Sequence, residues 1–136
     1  MTPAVLDATV FISACSPAEV HHAAARAMID SVPGNRPFIV PSLFRVEVAS
    51  ALARRKESAF FLDTVDALIT GPRFHACPID EELIRLSVEV ARRSGCRAYD
   101  AVYGALALSR GAVLLTLDEE LKRLLSEAYA EQIRFS

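Results

Sequence analysis

Four acidic side chains stand in apolar or small-residue surroundings, where a lone charge is costly. They are Asp7, Glu47, Asp100 and Asp118. Asp7 directly follows the aliphatic residues 4–6, and the helical neighbours of Glu47 at three and four positions are apolar or small. An isolated buried carboxylate costs several kcal/mol, on the order expected for an unpaired charge. We therefore expect the four carboxylates to converge on one shared cation.

Carboxylate oxygens without sulfur or imidazole ligands favour a hard ion, so the expected cofactor is Mg²⁺ or Mn²⁺ rather than zinc. Such an ion polarises phosphoryl oxygens and activates water, which makes hydrolysis of a phosphodiester the natural reaction. Two hydroxyls accompany the acids, in Asp7-Ala8-Thr9 and in Thr116-Leu117-Asp118. Thr9 and Thr116 are expected to orient the ligands or their bound waters.

Each acid also has a purely structural interpretation when it is taken alone. Asp7 and Asp118 could form strand-end turns or helix caps, and Asp118 could cap a helix and bind a metal at once. Glu47 could form a buried ion pair with an arginine. Asp100 falls in the first turn of a helix, where the helix dipole favours an anion, and Gly104 one turn later is expected to leave space beside it.

The elements that must position these residues alternate between strands and helices. The apolar run 4–12 is expected to be a strand that leaves the core at Asp7, and further short strands are predicted at 37–40, 74–77, 112–116 and 132–135. Helices are predicted at about 17–31, 43–56, 58–70, 81–93, 98–110 and 118–127. This alternation predicts an α/β fold, a three-layer α/β/α sandwich around a central, mostly parallel sheet. Residues 1–136 are expected to form a single domain.

Particular residues set the expected helix boundaries. Ser16 to Glu19 reads as a capping box with proline at the first helical position. Ser42 and Asp80 are expected caps, a helix is expected to run from Ser58, and Gly95 is an expected helix stop. In open α/β sheets ligands bind beyond the carboxyl ends of the strands. Asp7 and Asp118 both fall at that edge.

Composition narrows the class of protein. With 15 basic and 17 acidic residues the net charge is −2, which argues against a nucleic-acid binder held by a broad basic field. No apolar run approaches the roughly 18 residues of a membrane helix, so we expect a soluble, cytoplasmic protein with no membrane partner. The three cysteines are an odd number without C-x-x-C spacing, and are expected to be reduced in or near the core.

Several segments together resemble the PIN-domain family, in particular the VapC-type toxin ribonucleases, over essentially the whole chain. The matching segments are Val5-Leu6-Asp7-Ala8-Thr9, Pro41-Ser42 with Glu47-Val48 and Ala51-Leu52-Ala53-Arg54, Tyr99-Asp100-Ala101 with Ala105-Leu106-Ala107, and Leu115-Thr116-Leu117-Asp118 with Leu121. Thr9 stands where members often have serine, and it retains the hydroxyl.

The resemblance implies a PIN-like fold and a Mg²⁺- or Mn²⁺-dependent endoribonuclease. It maps the acidic metal ligands of the family to Asp7, Glu47, Asp100 and Asp118, and the accessory hydroxyls to Thr9 and Thr116. It also implies an RNA substrate, products with 5′-phosphate and 3′-hydroxyl ends, a homodimer, and inhibition by a cognate antitoxin of a type II toxin–antitoxin system.

Three other functions stay open at the level of sequence. A phosphoaspartyl-type phosphatase also carries an aspartate after its first strand, although Asp7-Ala8-Thr9 lacks the second acid two positions on. A non-catalytic PIN-fold interaction module would keep the fold, but it would not need all four acids. A housekeeping nuclease would use the same site as a toxin.

Overall fold

The computed structural model describes residues 2–136, and Met1 of the expected domain lies outside them. Its sheet has five strands: β1 (Ala4–Leu6), β2 (Phe38–Pro41), β3 (Phe74–Cys77), β4 (Val113–Leu115) and β5 (Arg134–Phe135). The strand order is β3-β2-β1-β4-β5, and every neighbouring pair is parallel. The predicted parallel sheet is confirmed, with β1 at its centre.

Seven helices connect and follow the strands. They are α1 (Ala8–Ala14), α2 (His22–Asp30), α3 (Phe44–Arg54), α4 (Ala59–Ile69), α5 (Glu81–Ser94), α6 (Ala98–Arg110) and α7 (Glu119–Tyr129), followed by a 3₁₀ turn (Ala130–Gln132). Helix α1 contacts α2 and α3, and α3 contacts α4, while α5 contacts both α6 and α7. The helices therefore form two packed groups.

The strand order explains why there are two groups. The chain moves in one direction across the sheet from β1 to β3 and in the opposite direction from β3 to β5. Because parallel crossovers are right-handed, a reversal of direction transfers the connecting helices to the other face. This gives the expected α/β/α sandwich. The reversal also makes the carboxyl ends of the neighbouring strands β1 and β4 the topological switch point, outside which open α/β sheets bind their ligands.

The core is built on the aliphatic strands and on one aromatic cluster. Val5, Leu6 and Leu114 of the central strands are fully buried. Phe11, Phe44 and Phe74 lie with ring centroids 5.4–5.6 Å apart, and the pairs are tilted or edge-on, as aromatic rings prefer. These contacts hold α1 and α3 on one face of the sheet.

The expectation that the run 4–12 is a strand is wrong beyond Leu6. Asp7 has extended backbone, and its carboxylate accepts a hydrogen bond from the Thr9 N–H, so that it caps α1. Val10, Phe11 and Ile12 are then buried from a helix rather than from a strand. A short apolar run has no periodicity that separates these two cases, and the cap decides between them.

The prediction of a capping box at Ser16 is also wrong. Residues 16–21 form turns, with the Glu19 N–H bonded to the Ser16 carbonyl at 3.0 Å, and α2 starts only at His22. The carboxylate of Glu19 forms an ion pair with Arg55. A long-range contact therefore takes the side chain that the sequence assigned to a local cap.

The other predicted helix boundaries mostly hold. Ser58 accepts a hydrogen bond from the Phe61 N–H, and Asp80 accepts one from the Leu83 N–H. Gly95 ends α5 at φ +73°, in the left-handed region that glycine adopts readily. Ser42 makes no cap, because α3 begins after Leu43 without a side-chain cap.

Two further expectations concern the whole chain. Among residues 2–136, no helix is both long and apolar enough to cross a lipid bilayer. Cys15, Cys77 and Cys96 are free thiols that are buried or partly buried. Burial raises the pKa of the Cys15 thiol to about 11, so this thiol is a poor nucleophile at neutral pH.

Gly104 lets α6 pack closely against its neighbouring helices. It does not leave open space beside Asp100, as the sequence had suggested. A Cβ atom at position 104 would lie 3.3 Å from a methyl of Leu125 on α7 and 3.3 Å from a methyl of Val90 on α5. The glycine thus lets three helices approach closely on the face of the sheet that carries Asp100.

Replacing Gly104 tests this packing. We expect Gly104→Val to lower the free energy of unfolding by about 1–3 kcal/mol, because the added isopropyl group overpacks the contact. Gly104→Ala is the control, since its tight Cβ contacts are offset by about 1 kcal/mol of helix propensity. Urea denaturation measures both. Equal stability of the two variants would contradict the close packing.

Candidate metal and nuclease site

The four predicted acids occupy the carboxyl edge of the sheet, on two strand ends and two helices. Asp7 follows β1 and Asp118 lies beyond β4, which are neighbours with Leu6 opposite Leu115. Glu47 is in the first turn of α3 and Asp100 in the first turn of α6. Helices from both helix groups thus lead to the switch point between β1 and β4.

Asp7 is the most buried of the four, with 5% of its surface exposed. Its Oδ1 accepts a hydrogen bond from the Thr9 N–H at 3.1 Å, and its Oδ2 accepts one from the Thr116 hydroxyl at 2.8 Å. Burial raises the pKa of Asp7, and these hydrogen bonds partly oppose the rise. A helix cap needs only one of the two oxygens, so capping does not explain the second contact or the burial.

Thr116 links the two aspartates of the strand ends. Its side chain is fully buried, and its hydroxyl donates to Asp7. The same oxygen accepts the Asp118 N–H at 3.2 Å. The hydroxyl hydrogen is therefore committed to Asp7, and Thr116 orients the acids rather than contacting solvent.

Asp118 and Thr9 face outward. Asp118 caps α7, since its Oδ1 accepts the Leu121 N–H at 3.0 Å, and its side chain is exposed. Thr9 is exposed, and its side chain also bonds to Asp7 and lowers the pKa of that carboxyl. Both capping interpretations of the aspartates are thus correct, and each aspartate keeps acceptor capacity for a ligand.

Glu47 is partly buried, and a tyrosine hydroxyl contacts its carboxylate. Its Oε1 accepts a hydrogen bond from the Tyr103 hydroxyl at 2.9 Å. Burial raises the pKa of Glu47, and the charges of Asp7 and Asp100 raise it further. An ion pair with arginine, the alternative open from sequence, is not what holds this carboxylate.

Asp100 has the clearest electrostatic signature. Burial, then the charges of Asp7 and Asp118, raise its pKa from 3.8 to about 6, and Arg97 opposes this only in part. The position in a first helical turn should favour the anion, yet the net effect has the opposite sign. Burial, with repulsion from Asp7 and Asp118 added to it, therefore outweighs the helix dipole and Arg97.

The pKa values of Asp7, Glu47 and Asp100 are each raised in part by the charge of at least one other acid of the site, and the charge of Asp118 acts on Asp7 and Asp100. Among residues 2–136, no three His, Cys, Asp or Glu side chains are grouped closely enough to enclose an ion. The donor set nevertheless fits a hard divalent cation, because every side-chain donor is an oxygen and the excess negative charge needs a counter-charge.

Tyr103 is a site residue for which no role was predicted from the sequence. It lies three residues after Asp100, on the same side of α6, and is 2% exposed. Its partner Glu47 is 56 positions away in the chain. The i, i+3 spacing to an acidic residue was visible in the sequence, but the pairing of α6 with α3 was not.

The sequence of the chain matches a known domain family. The model of the PIN domain family matches residues 4–125. No curated protein sequence matches the chain.

Among solved structures, the chain is similar to VapC20 of Mycobacterium tuberculosis, a Sarcin-Ricin loop cleaving toxin, at 14% identity and a TM-score of 0.75 over 88% of this chain and 93% of that one. It is similar to a chain of a toxin-antitoxin complex from Klebsiella pneumoniae at 15% identity and a TM-score of 0.69, over 93% and 90% of the two chains. It also resembles FitAcB from Neisseria gonorrhoeae at 14% identity and a TM-score of 0.72, over 98% and 96%. These likenesses concern the fold. Since the family model covers most of the sequence, the chain belongs to the PIN domain family.

Proposed function

We propose that this protein is a Mg²⁺- or Mn²⁺-dependent endoribonuclease and the toxin of a toxin–antitoxin pair. The observation that carries the proposal is the set of four mutually repelling carboxylates at the switch point, with the pKa of Asp100 raised to about 6. Such a set is poorly arranged for stability alone and well suited to a divalent ion. The family and the toxins among its structural neighbours support the same reaction.

In this proposal Asp7, Glu47, Asp100 and Asp118 are the ligands. A bound divalent ion would polarise a phosphoryl oxygen and lower the pKa of a water. Thr116 fixes the positions of Asp7 and Asp118 relative to each other through its two hydrogen bonds. Thr9 also forms hydrogen bonds with Asp7. Arg97 is exposed beside Asp100 and can contact an RNA phosphate near the acids.

The proposal includes a cognate antitoxin and a homodimer as partners. Solved neighbours from Klebsiella pneumoniae and Rickettsia felis are toxin–antitoxin assemblies, the second as VapBC2 bound to a promoter DNA fragment. Large apolar side chains are exposed on α3 and α4 of this chain, with Val46 61%, Phe60 70% and Leu68 50% exposed. Partner chains would cover such side chains. Size-exclusion chromatography of the protein alone and with its genomic neighbour tests both partners.

RNA cleavage by the purified protein is the direct test. With Mg²⁺ or Mn²⁺ present, we expect RNA to be cut into fragments with 5′-phosphate and 3′-hydroxyl ends. Chelation should stop the reaction and added metal should restore it. End-labelled RNA on denaturing gels gives the measurement.

Three outcomes would count against the proposal. Cleavage that persists at full rate in chelator contradicts metal dependence. Release of phosphate from a phosphomonoester, with RNA left intact, would instead support the phosphoaspartyl-type phosphatase. A protein that binds its antitoxin but cuts no RNA under any metal condition would support the non-catalytic interaction module.

A further inference from the structure

Tyr103 lies between the start of α1 and Glu47. Its hydroxyl donates a hydrogen bond to Glu47 Oε1 at 2.9 Å. Ala8 is the first residue of α1 and directly follows Asp7, and its backbone N–H is near enough to the phenol oxygen to oppose the rise in the pKa of Tyr103. The geometric link between α6 and α3 is therefore the bond from the phenol to Glu47.

The bond between Tyr103 and Glu47 satisfies two groups that would otherwise be costly. The phenol is buried and has a single hydrogen to donate, so its direction is fixed toward Glu47. A hydrogen bond to a carboxylate is among the stronger kinds.

Glu47 needs such a restraint more than the aspartates do. Asp7 and Asp118 are held by backbone N–H groups next to them in sequence, whereas Glu47 extends from α3 on a longer side chain. The charges of Asp7 and Asp100 act against it. Without a restraint, repulsion would favour rotamers of Glu47 that turn away from the other acids.

We propose that Tyr103 is a positioning residue that holds the Glu47 carboxylate toward Asp7 and Asp100, so that the site is preorganised for a divalent ion. The proposal rests on the metal site of the proposed function. Helix α6 then contributes twice to the site: Asp100 as a ligand and, one turn on, Tyr103 as the support of a ligand from α3. Tyr103 itself touches neither ion nor RNA.

The test is Tyr103→Phe, with Tyr99→Phe as the matched control. Tyr99 lies on the same helix, is 57% exposed and undergoes the same loss of a hydroxyl. Calorimetric titration with Mn²⁺ alone should show affinity weakened about 10- to 100-fold in Tyr103→Phe, the range typical of residues that orient metal ligands. Tyr99→Phe should match the wild type. With RNA, Tyr103→Phe should lower kcat and leave KM nearly unchanged.

A double-variant cycle separates positioning from general structure. If Tyr103 acts through Glu47, adding Tyr103→Phe to Glu47→Gln should not weaken Mn²⁺ binding further. An equal loss in both backgrounds, or wild-type affinity in Tyr103→Phe, overturns the proposal. Because Mn²⁺ binding is measured without RNA, this arm still decides the role of Tyr103 if the wild type binds metal but cuts no RNA.

A second measurement covers the case in which Tyr103→Phe does not fold. The protein has three tyrosines, so 3-fluorotyrosine labelling gives three ¹⁹F resonances, and Tyr99→Phe and Tyr129→Phe identify the one from position 103. Mg²⁺ should shift that resonance in the wild type and leave it unmoved in Glu47→Gln. A resonance that ignores Mg²⁺ in the wild type rejects the proposal.

Discussion

Asp100→Asn should raise the stability of the metal-free protein and abolish its cleavage of RNA. Near pH 7.5 we expect the free energy of unfolding to rise by about 1 kcal/mol, because the neutral amide costs less to bury than the carboxylate and is not repelled by Asp7 and Asp118. Loss of about 0.5 kcal/mol from the helix dipole is included in this figure. Cleavage with Mn²⁺ should fall at least about 100-fold, since a ligand is lost.

The raised pKa of Asp100 predicts how its contribution to the free energy of unfolding changes with pH. The folded pKa of Asp100 is about 6 and the unfolded value is near 3.8, so the folded protein binds more protons between these values. Its contribution to stability therefore falls as the pH rises through this window, and the penalty is fully present above about pH 6. The advantage of Asp100→Asn should be largest at pH 7.5 and should vanish near pH 4.

Added metal should reverse the order of stability. An ion that binds only the folded state stabilises it by about 2.7 kcal/mol at 100 times its Kd, and the wild type should receive more of this than the variant. Thermal and urea unfolding with and without Mn²⁺ provide the comparison. Asp63→Asn, on the exposed surface of α4, is the control and should change neither cleavage nor the pH profile. If the metal-free Asp100→Asn protein is less stable than the wild type at pH 7.5, the charge of Asp100 does not destabilise the metal-free fold.

The acids of the site were predictable because their surroundings in the sequence are unusual. Asp7 and Asp118 each follow aliphatic strand residues, and Glu47 has apolar or small neighbours on its helix. The alternation of strands and helices then placed the two strand ends at one edge of the sheet. Helix caps such as Asp80 were also predictable, since a local hydrogen bond to Leu83 decides them.

The features that could not be predicted from the sequence mostly depend on contacts between distant segments. Glu19 looked like part of a capping box, but it pairs with Arg55 across the fold. Tyr103 contacts Glu47 only because α3 and α6 meet over the carboxyl edge of the sheet. Helix α1 was missed because a cap at Asp7 turns an apolar run into a helix without any change in its composition.

Thr116→Val should cost the protein both stability and activity, although it keeps the shape of the side chain. The hydroxyl donates to Asp7 Oδ2 and accepts the Asp118 N–H, and Thr116 is fully buried. Valine leaves the carboxylate without this donor and the N–H without this acceptor. Each such loss costs about 1–3 kcal/mol, so we expect the free energy of unfolding to fall by roughly 2–4 kcal/mol near pH 7.5.

Thr116→Ser is the matched control, since serine keeps the hydroxyl and loses only a methyl group. We expect it to stay within about 1.5 kcal/mol of the wild type and to keep its cleavage activity, whereas Thr116→Val should lose at least about tenfold in kcat. The valine also removes a hydrogen bond that lowers the pKa of Asp7, so that pKa should rise further. A carboxyl whose folded pKa is raised loses stability as pH increases, and the gap between Val and Ser should therefore narrow toward pH 4. If the two variants are equally stable and equally active at pH 7.5, the bridge through Thr116 does not orient the acids.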